Sequence, residues 1–446
     1  MRRPGVAFVF VTLLLDVLGF GLLIPVAPQL VAFVQGLPTE GSEHNASLAV
    51  GALMATYAAM QFIFSPILGS LSDRFGRRPV LLVALFGSGV DYLVAAAAPN
   101  LAVLFVTRAL NGISGATIPV CSAYIADVTT PEKRAAGYGM IGAAFGLGFV
   151  IGPLVGGVLG DEKNDLWLIG HGDIRYPYIA AGILTLINWL YGYFIFPESL
   201  PPERRRAFSW AKSGSLGALR WLAGHRVVAT LAGALFLLNV AQFGLHSTWV
   251  LSMKARFHWS ASDVGWSLFI VGITAAVVQG GLARRIIPAL GERACLLGGM
   301  AIGVLAFIGY GLAPQGWMIY AIIAVASIGG VAGPAAQAIT SKAVPPTEQG
   351  LLQGALASLN SIAGVIGPLL ATGVFHAFTP ESGDPIYPGA GAPFLTGAAL
   401  CVLALLPVLA VWTRMPRTVA QAPDESEHAS RPAADAKPQP PDPGEG

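Results

Sequence analysis

Four charges crowd one short turn of this chain, "GSLSDRFGRRPVLLVAL" (residues 69–85), where Asp73, Arg74, Arg77 and Arg78 interrupt two apolar runs. Three more, Asp16, Asp91 and Arg108, stand apart inside apolar stretches. Carboxylates and guanidinium groups so placed do two kinds of chemistry. They take up and release protons, and they form ion pairs that break and re-form. Bond-making chemistry has no visible basis. The sequence carries no nucleophile–base constellation, P-loop, dinucleotide fingerprint, haem motif or zinc spacing, and Cys121, Cys295 and Cys401 lie in separate apolar segments. An enzyme is therefore not expected, nor a resident metal or cofactor, nor a nucleic-acid partner. Energy is expected from an ion gradient.

The elements that must position these charges are built for lipid. Of 446 residues, 54% are hydrophobic and 11% charged, against roughly 25% charged in soluble domains. Apolar stretches of about 20 residues recur, long enough as helices to cross a hydrocarbon core of ~30 Å. The pattern predicts an all-α membrane protein with twelve spans, near 6–34, 47–70, 80–98, 101–125, 135–160, 176–196, 226–250, 261–282, 292–312, 316–340, 349–375 and 391–413. The start, "MRRPGVAFVFVTLLLDVLGFG", resembles a signal peptide but runs to about residue 34, carries Asp16 and lacks a small-residue cleavage site, so it reads as an uncleaved first helix. Of the 26 Lys and Arg, only Lys163, Arg175, Lys254 and Arg256 fall in the connectors of one side, and Arg108 falls within a span. That asymmetry places both termini in the cytoplasm.

The chain divides into six-helix bundles at 1–196 and 226–413, joined by a basic cytoplasmic linker at 197–225. A Pro-rich, acidic tail at 414–446 is expected to be disordered. The halves echo each other at an offset of about 215: "GFVIGPLVGG" (148–157) recurs as "AGVIGPLLATG" (363–373), and "GISGA" (112–116) as "GVAGP" (330–334). Repeated six-helix units are a transporter signature, in which two halves rock about a midplane site. Small residues that merely pack helices explain the composition but not the repeated order.

Within the charged turn, Gly69 is expected to let helices approach closely and Gly76 to let the chain reverse. Asp127, at the cytoplasmic end of the fourth span, is placed to receive Arg77 or Arg78 in a fork-like pair. A plainer reading makes the arginines topology anchors. Asp16 has no Lys or Arg in its own helical turn, which makes it the first choice for a proton carrier or cation-binding carboxylate, with Asp91 second. Asp91 and Arg108 lie at matching depth on antiparallel neighbours and are expected to pair. Gln61, Asn111, Asn239, Gln242, Gln337 and Asn360 are polar groups at membrane depth. Asn239, Gln242 and His246 share one face of the seventh span near Phe243 and Trp249, an adaptable amphipathic pocket for a small molecule.

The twelve spans, the repeat and the loop through Gly69, Asp73, Arg74, Gly76, Arg77 and Arg78 resemble the major facilitator superfamily. "LDVLGFGLLIPVAPQL" (15–30), "YAAMQFIFSPILG" (57–69), "RALNGISGATIPVCSAYIAD" (108–127) and "QGLLQGALASLNSIAGVIGPLL" (349–370) are similar to the tetracycline/proton antiporters of its drug:proton antiporter branch. The resemblance implies a bacterial inner-membrane exporter, working as a monomer, that exchanges a small amphipathic drug for protons by alternating access. The drug is implied to arrive, in some cases, as a metal chelate. It also implies that the charged loop is a latch, holding the outward-facing state and breaking as the protein turns inward. "GLGFVIGPLVGG" carries the family's exporter pattern through Gly148, Gly152, Pro153, Gly156 and Gly157. The counterpart loop "GLARRIIPALGER" (281–293) lacks the matching acid, so an asymmetric latch is expected. Thr274 and Gly303 stand where those antiporters carry a histidine and an aspartate. The competing readings are a proton-coupled or uniport carrier of a sugar or organic anion, which the cation Arg108 would suit, and a non-transporting sensor on a transporter scaffold.

Overall fold

Lipid offers a backbone no hydrogen-bond partner but itself, so the apolar runs fold as helices. The computed structural model describes residues 6–38, 41–115, 118–130, 134–167, 170–205, 220–222, 224–345, 348–380 and 389–410. The expected tail at 414–446 and the middle of the expected linker lie outside the described residues. Eleven helices among those described are long and apolar enough to cross a membrane. A twelfth span arises when Val9–Leu23 and Ala27–Val34, bent by 53°, are taken together. The bend falls between Pro25 and Pro28, which remove backbone donors and force the chain out of line.

Pseudo-symmetry extends to irregularities of the backbone. The second and third spans, Glu43–Phe75 and Arg77–Ala96, are separated by the single residue Gly76, whose φ is +106°. In the other half the eighth span ends at Leu290 and the ninth, Glu292–Leu312, begins after Gly291, whose φ is +82°. Only glycine occupies such a conformation without strain. The fourth span changes from Leu101–Ser114 to Ile118–Val128 at "GISGA", and the tenth from Gly316–Gly329 to Ala332–Lys342 at "GVAGP". The fifth span, Arg134–Gly160, and the eleventh, Gln349–Phe378, run unbroken through Pro153 and Pro368. A π-helical turn at Val278–Leu282 interrupts the eighth span.

Core packing distinguishes the two ends of the molecule. One apolar cluster joins the halves, bringing Leu22, Val26, Leu53 and Tyr178 against Leu251, Ala261 and Phe375. The other described clusters each stay within one half, including Val9, Leu81, Tyr124 and Phe196 on one side and Leu222, Val344 and Leu352 on the other. Glycines report the same division. A Cβ on Gly51 would collide with Thr372, one on Gly157 with the Ala261 backbone, and one on Gly265 with the Pro153 carbonyl at 2.6 Å. On the same helices nearer the charged loop, a Cβ at Gly69, Gly142, Gly146, Gly280 or Gly350 would meet nothing within 4 Å. The halves are therefore sealed at the end bearing Glu43, Asp161 and Ser262, and parted at the end bearing Arg77. That corrects the expected role of Gly69, which faces open space in this conformation.

Candidate functional site

At the parted end, Arg77 is the hub of the charged turn. Its Nη1 pairs with Asp73 at 2.7 Å and donates to Ser72 Oγ at 2.6 Å, while its Nε donates to Asp127 Oδ2 at 3.2 Å. Asp127 also accepts from Ser199 Oγ at 3.1 Å. Arg78 turns away to the Tyr193 carbonyl, and Arg74 lies over the Phe75 ring. The fork-like pair is thus replaced by one guanidinium shared among three acceptors, because Arg77 begins a helix and must span the ends of two others. Ser199 aside, which begins the linker, every one of these partners lies in the first half. In a conformation parted at this very end the Arg77–Asp127 pair is formed, so the expectation that it breaks on opening does not hold.

A residue the sequence reading passed over completes the turn. Glu198, just after the sixth span, accepts from the backbone nitrogens of Arg77 and Arg78 at 2.8 and 3.3 Å, and from those of Ser199 and Leu200 at 3.0 Å each. Its carboxylate caps the positive end of the third span. The available signal was "PES", an acid placed at a helix end that faces three arginines.

The second half carries the same clasp with its charges exchanged. An offset of 215 carries Gly76 to Gly291, Arg77 to Glu292 and Asp127 to Lys342. Lys342 Nζ pairs with Glu292 Oε1 at 2.6 Å. The acid missing from "GLARRIIPALGER" is thus offset by an acid where the first half has its arginine. The two clasps are opposite in polarity.

The three charges at membrane depth gather around tyrosines that sequence reasoning did not single out. Asp16 is half-buried and within electrostatic reach of Tyr57, Tyr92 and Cys121. Asp91 is 5% exposed, beside Asn111 and within reach of the Arg108 charge. Yet no ion pair joins Asp91 to Arg108 among the described residues, and neither Asp91 oxygen accepts a hydrogen bond from the protein. Equal depth on neighbouring helices did not bring the two groups into contact. Arg108 instead shares its surroundings with Tyr57, Tyr92 and Tyr178.

Two cavities lie near the middle of the molecule, and Arg108 reaches the smaller. One of about 110 Å³ lies between the halves, lined by Phe20, Met54, Arg108, Tyr178, His246 and Val250. A larger one of about 440 Å³ lies within the second half, lined by Asn239, Gln242, His246, Trp249, Gln279 and Tyr310 among others. His246 lines both, and Gln242 Nε2 lies 3.1 Å from His246 Nε2. Gly303 also lines the larger cavity, where a Cβ would meet nothing within 4 Å, and Thr274 bonds Ser327 at 2.7 Å. The other expected cavity residues are elsewhere. Gln61 donates to the Gly115 carbonyl at 3.3 Å, tying the second span to the fourth, and Asn111 is buried beside Asp91. Gln337 and Asn360 are exposed and line neither cavity. Phe243 packs on the eleventh span against Gly364 and Gly367 rather than on the cavity.

The fifth-span motif makes one smooth stripe. Gly148, Gly152 and Gly156 recur every four residues and face Val17, Leu18 and Leu22 of the first span, while Gly157 turns to Ala261. Gly367 meets Val240 and Gly244 of the seventh span in the same manner. Each Gly-Pro pair thus seats its helix on the first helix of its own half.

Twelve spans in two repeated halves, parted at one end around buried charges and small cavities, define an integral membrane transporter. The family described as Major Facilitator Superfamily matches residues 9–368 and 289–440, and the chain belongs to it. It is 37% identical over 415 residues to the Tetracycline resistance protein, class C, of Escherichia coli, covering 91% of this chain and 97% of that one. With the class D protein of Salmonella ordonez it shares 35% over 424 residues, covering 94% and 99%. Among solved structures it resembles the crystal structure of the human organic anion transporter MFSD10 (TETRAN), with a TM-score of 0.65, 27% identity, and coverage of 91% and 99%.

Proposed function

We propose that this protein exports a small amphipathic molecule in exchange for protons, with tetracycline-like drugs the first compounds to try. The observation that carries the reading is the group of charges Asp16, Asp91 and Arg108 at membrane depth, with Arg108 lining a cavity between the halves, in a molecule sealed at one end and parted at the other. Alternating access needs a site reachable from one side at a time. Asp91, with the fewest compensating hydrogen bonds, and Asp16 are the carboxylates assigned to carry protons. Arg108 tunes them. The lysine and arginine asymmetry supports cytoplasmic termini, which makes the parted end cytoplasmic and this conformation inward-open. The likeness to the tetracycline resistance proteins supports a bacterial inner membrane and a monomer in which 1–196 and 226–413 rock about the linker 197–225.

A second reading, transport of an organic anion, is favoured by Arg108. Its guanidinium lines an otherwise largely apolar cavity and its Nη2 has no hydrogen-bond partner in the protein. Neutral groups at Thr274 and Gly303 also suit an anion better than a cationic metal chelate.

Proteoliposomes loaded with a pH-sensitive dye decide between these readings. Tetracycline and a panel of amphipathic cations and anions are added under an imposed pH gradient, with Asp16→Asn and Asp91→Asn alongside. Drug-triggered proton flux abolished by either substitution is the expected result. Uptake of anions with no proton flux favours the second reading, and no flux with any compound in folded protein refutes export by proton exchange.

A further inference from the structure

At the sealed end, two histidines from opposite halves lie face to face. His44 opens the second span and His376 closes the eleventh, with ring centroids 4.0 Å apart and ring planes 21° apart. His44 is 9% exposed. His376 Nδ1 lies 3.1 Å from the His44 carbonyl oxygen and 3.5 Å from Ser47 Oγ. A carbonyl can only accept, so Nδ1 carries the hydrogen and Nε2 is the atom open to a further proton. Among the described residues, the following charged groups lie near the pair. Glu43, beside His44, pairs with Lys254 of the seventh span at 3.4 Å. The cavity beyond Glu43 is walled also by Asp161, Glu162, Lys163 and His258. Among the described residues, the eleventh span and the 389–391 turn add no further charge near His376.

We propose that His44 and His376 form a proton-binding site in the seam between the halves, and that protonation of both rings opens the sealed end. Neutral rings stack favourably and close the seam. Two imidazolium rings at this separation repel, and the repulsion is relieved only when the halves separate. The ordinary range of histidine, about pH 5 to 8, sets the conditions of the test. The inference goes beyond the proposed export cycle and rests on the sealed end alone. It assigns a proton site distant from Asp16 and Asp91, with opening rather than coupling as its task.

The test therefore omits substrate and gradient. Spin labels at Trp167→Cys and Trp317→Cys, exposed by 90% and 63% on opposite halves, report separation across the sealed end. The native Cys121, Cys295 and Cys401 are buried, so labelling is confined to the introduced thiols. Between about pH 8 and pH 5 the population of the longer distance is expected to rise ~10-fold or more. His376→Gln, which keeps a donor for the His44 carbonyl, and His44→Phe, which keeps the stacked ring, are each expected to abolish that rise. Distance distributions independent of pH in the unsubstituted pair overturn the proposal, as does an undiminished rise in both variants. A failed drug-flux assay leaves this measurement unaffected, so the two readings fail separately.

Discussion

The carboxylate of Glu198 accepts a hydrogen bond from the backbone nitrogen of Arg77 at 2.8 Å, across 121 residues of sequence. It reaches that nitrogen because Gly76 has no side chain. A Cβ on Gly76 would fall on the Glu198 carboxylate, and the backbone there has a positive φ of +106°. Gly76→Ala is therefore expected to cost about 1–3 kcal/mol and to lower the melting temperature in detergent. Glu198→Gln, which keeps an acceptor but loses the charge at a helix N-terminus, is expected to cost about 0.3–1 kcal/mol. Equal losses in the two variants would contradict this account of the turn.

The exchanged polarity of Glu292 and Lys342 gives a second expectation. Lys342→Asp faces one acid with another and is expected to lower stability by about 1 kcal/mol. Adding Glu292→Arg copies the arrangement of Arg77 and Asp127 into the second half. The double variant is expected to regain most of the loss, read as a coupling energy in a double-mutant cycle. Purely additive losses would mean that the repeated geometry is not an energetic unit.

Glycines on one helix separate packing from motion. Gly156→Ala drives a methyl group into the Leu22 backbone and is expected to destabilise by about 1–3 kcal/mol. At Gly146 a Cβ meets nothing within 4 Å. Gly146→Leu is expected to leave the melting temperature unchanged or slightly raised, because glycine is a poor helix former. It should nonetheless stop transport, since the parted end cannot close over a bulky side chain. Full transport by Gly146→Leu would place the moving contact elsewhere.

Strong acid should also loosen the sealed end through Asp161. Asp161 is largely buried, which works against its charge, but hydrogen bonds from Ser260, Ser262 and the Lys163 backbone hold its carboxyl below the usual carboxylate range. A lowered carboxyl stabilises the folded form above its unfolded pKa, and the benefit fades as pH falls through the folded value. Asp161→Asn should therefore be less stable than the parent at neutral pH, with the two melting curves converging in strong acid. A gap that stays constant with pH would assign the loss to shape rather than charge.

The helices and their repeat were legible because lipid punishes every departure from a simple code: twenty apolar residues, charge sorted by side, and glycine or proline where helices touch or turn. The finer site was less so. Asp91 and Arg108 share a depth, but rotation about each helix axis decides contact, and depth says nothing of rotation. Glu198 was hidden because its partner is a backbone amide, which no side-chain pattern marks. Gly69 was misread because small residues at a helix end do not reveal which end of a seam is parted. The bend at Pro25 and Pro28 stood in the sequence as two prolines, yet a continuous apolar run masked it.

Where the fifth and eighth spans cross, Gly157 and Gly265 bring backbone against backbone, with the Pro153 and Ala261 carbonyls facing those glycines directly. Separating the helices at this crossing uncovers peptide groups rather than hydrocarbon. Apolar exposure raises heat capacity and polar exposure lowers it, so the two contributions tend to cancel here. This crossing should therefore add little to the temperature dependence of opening, which is left to the apolar cluster that joins the halves around Leu53, Leu251 and Phe375.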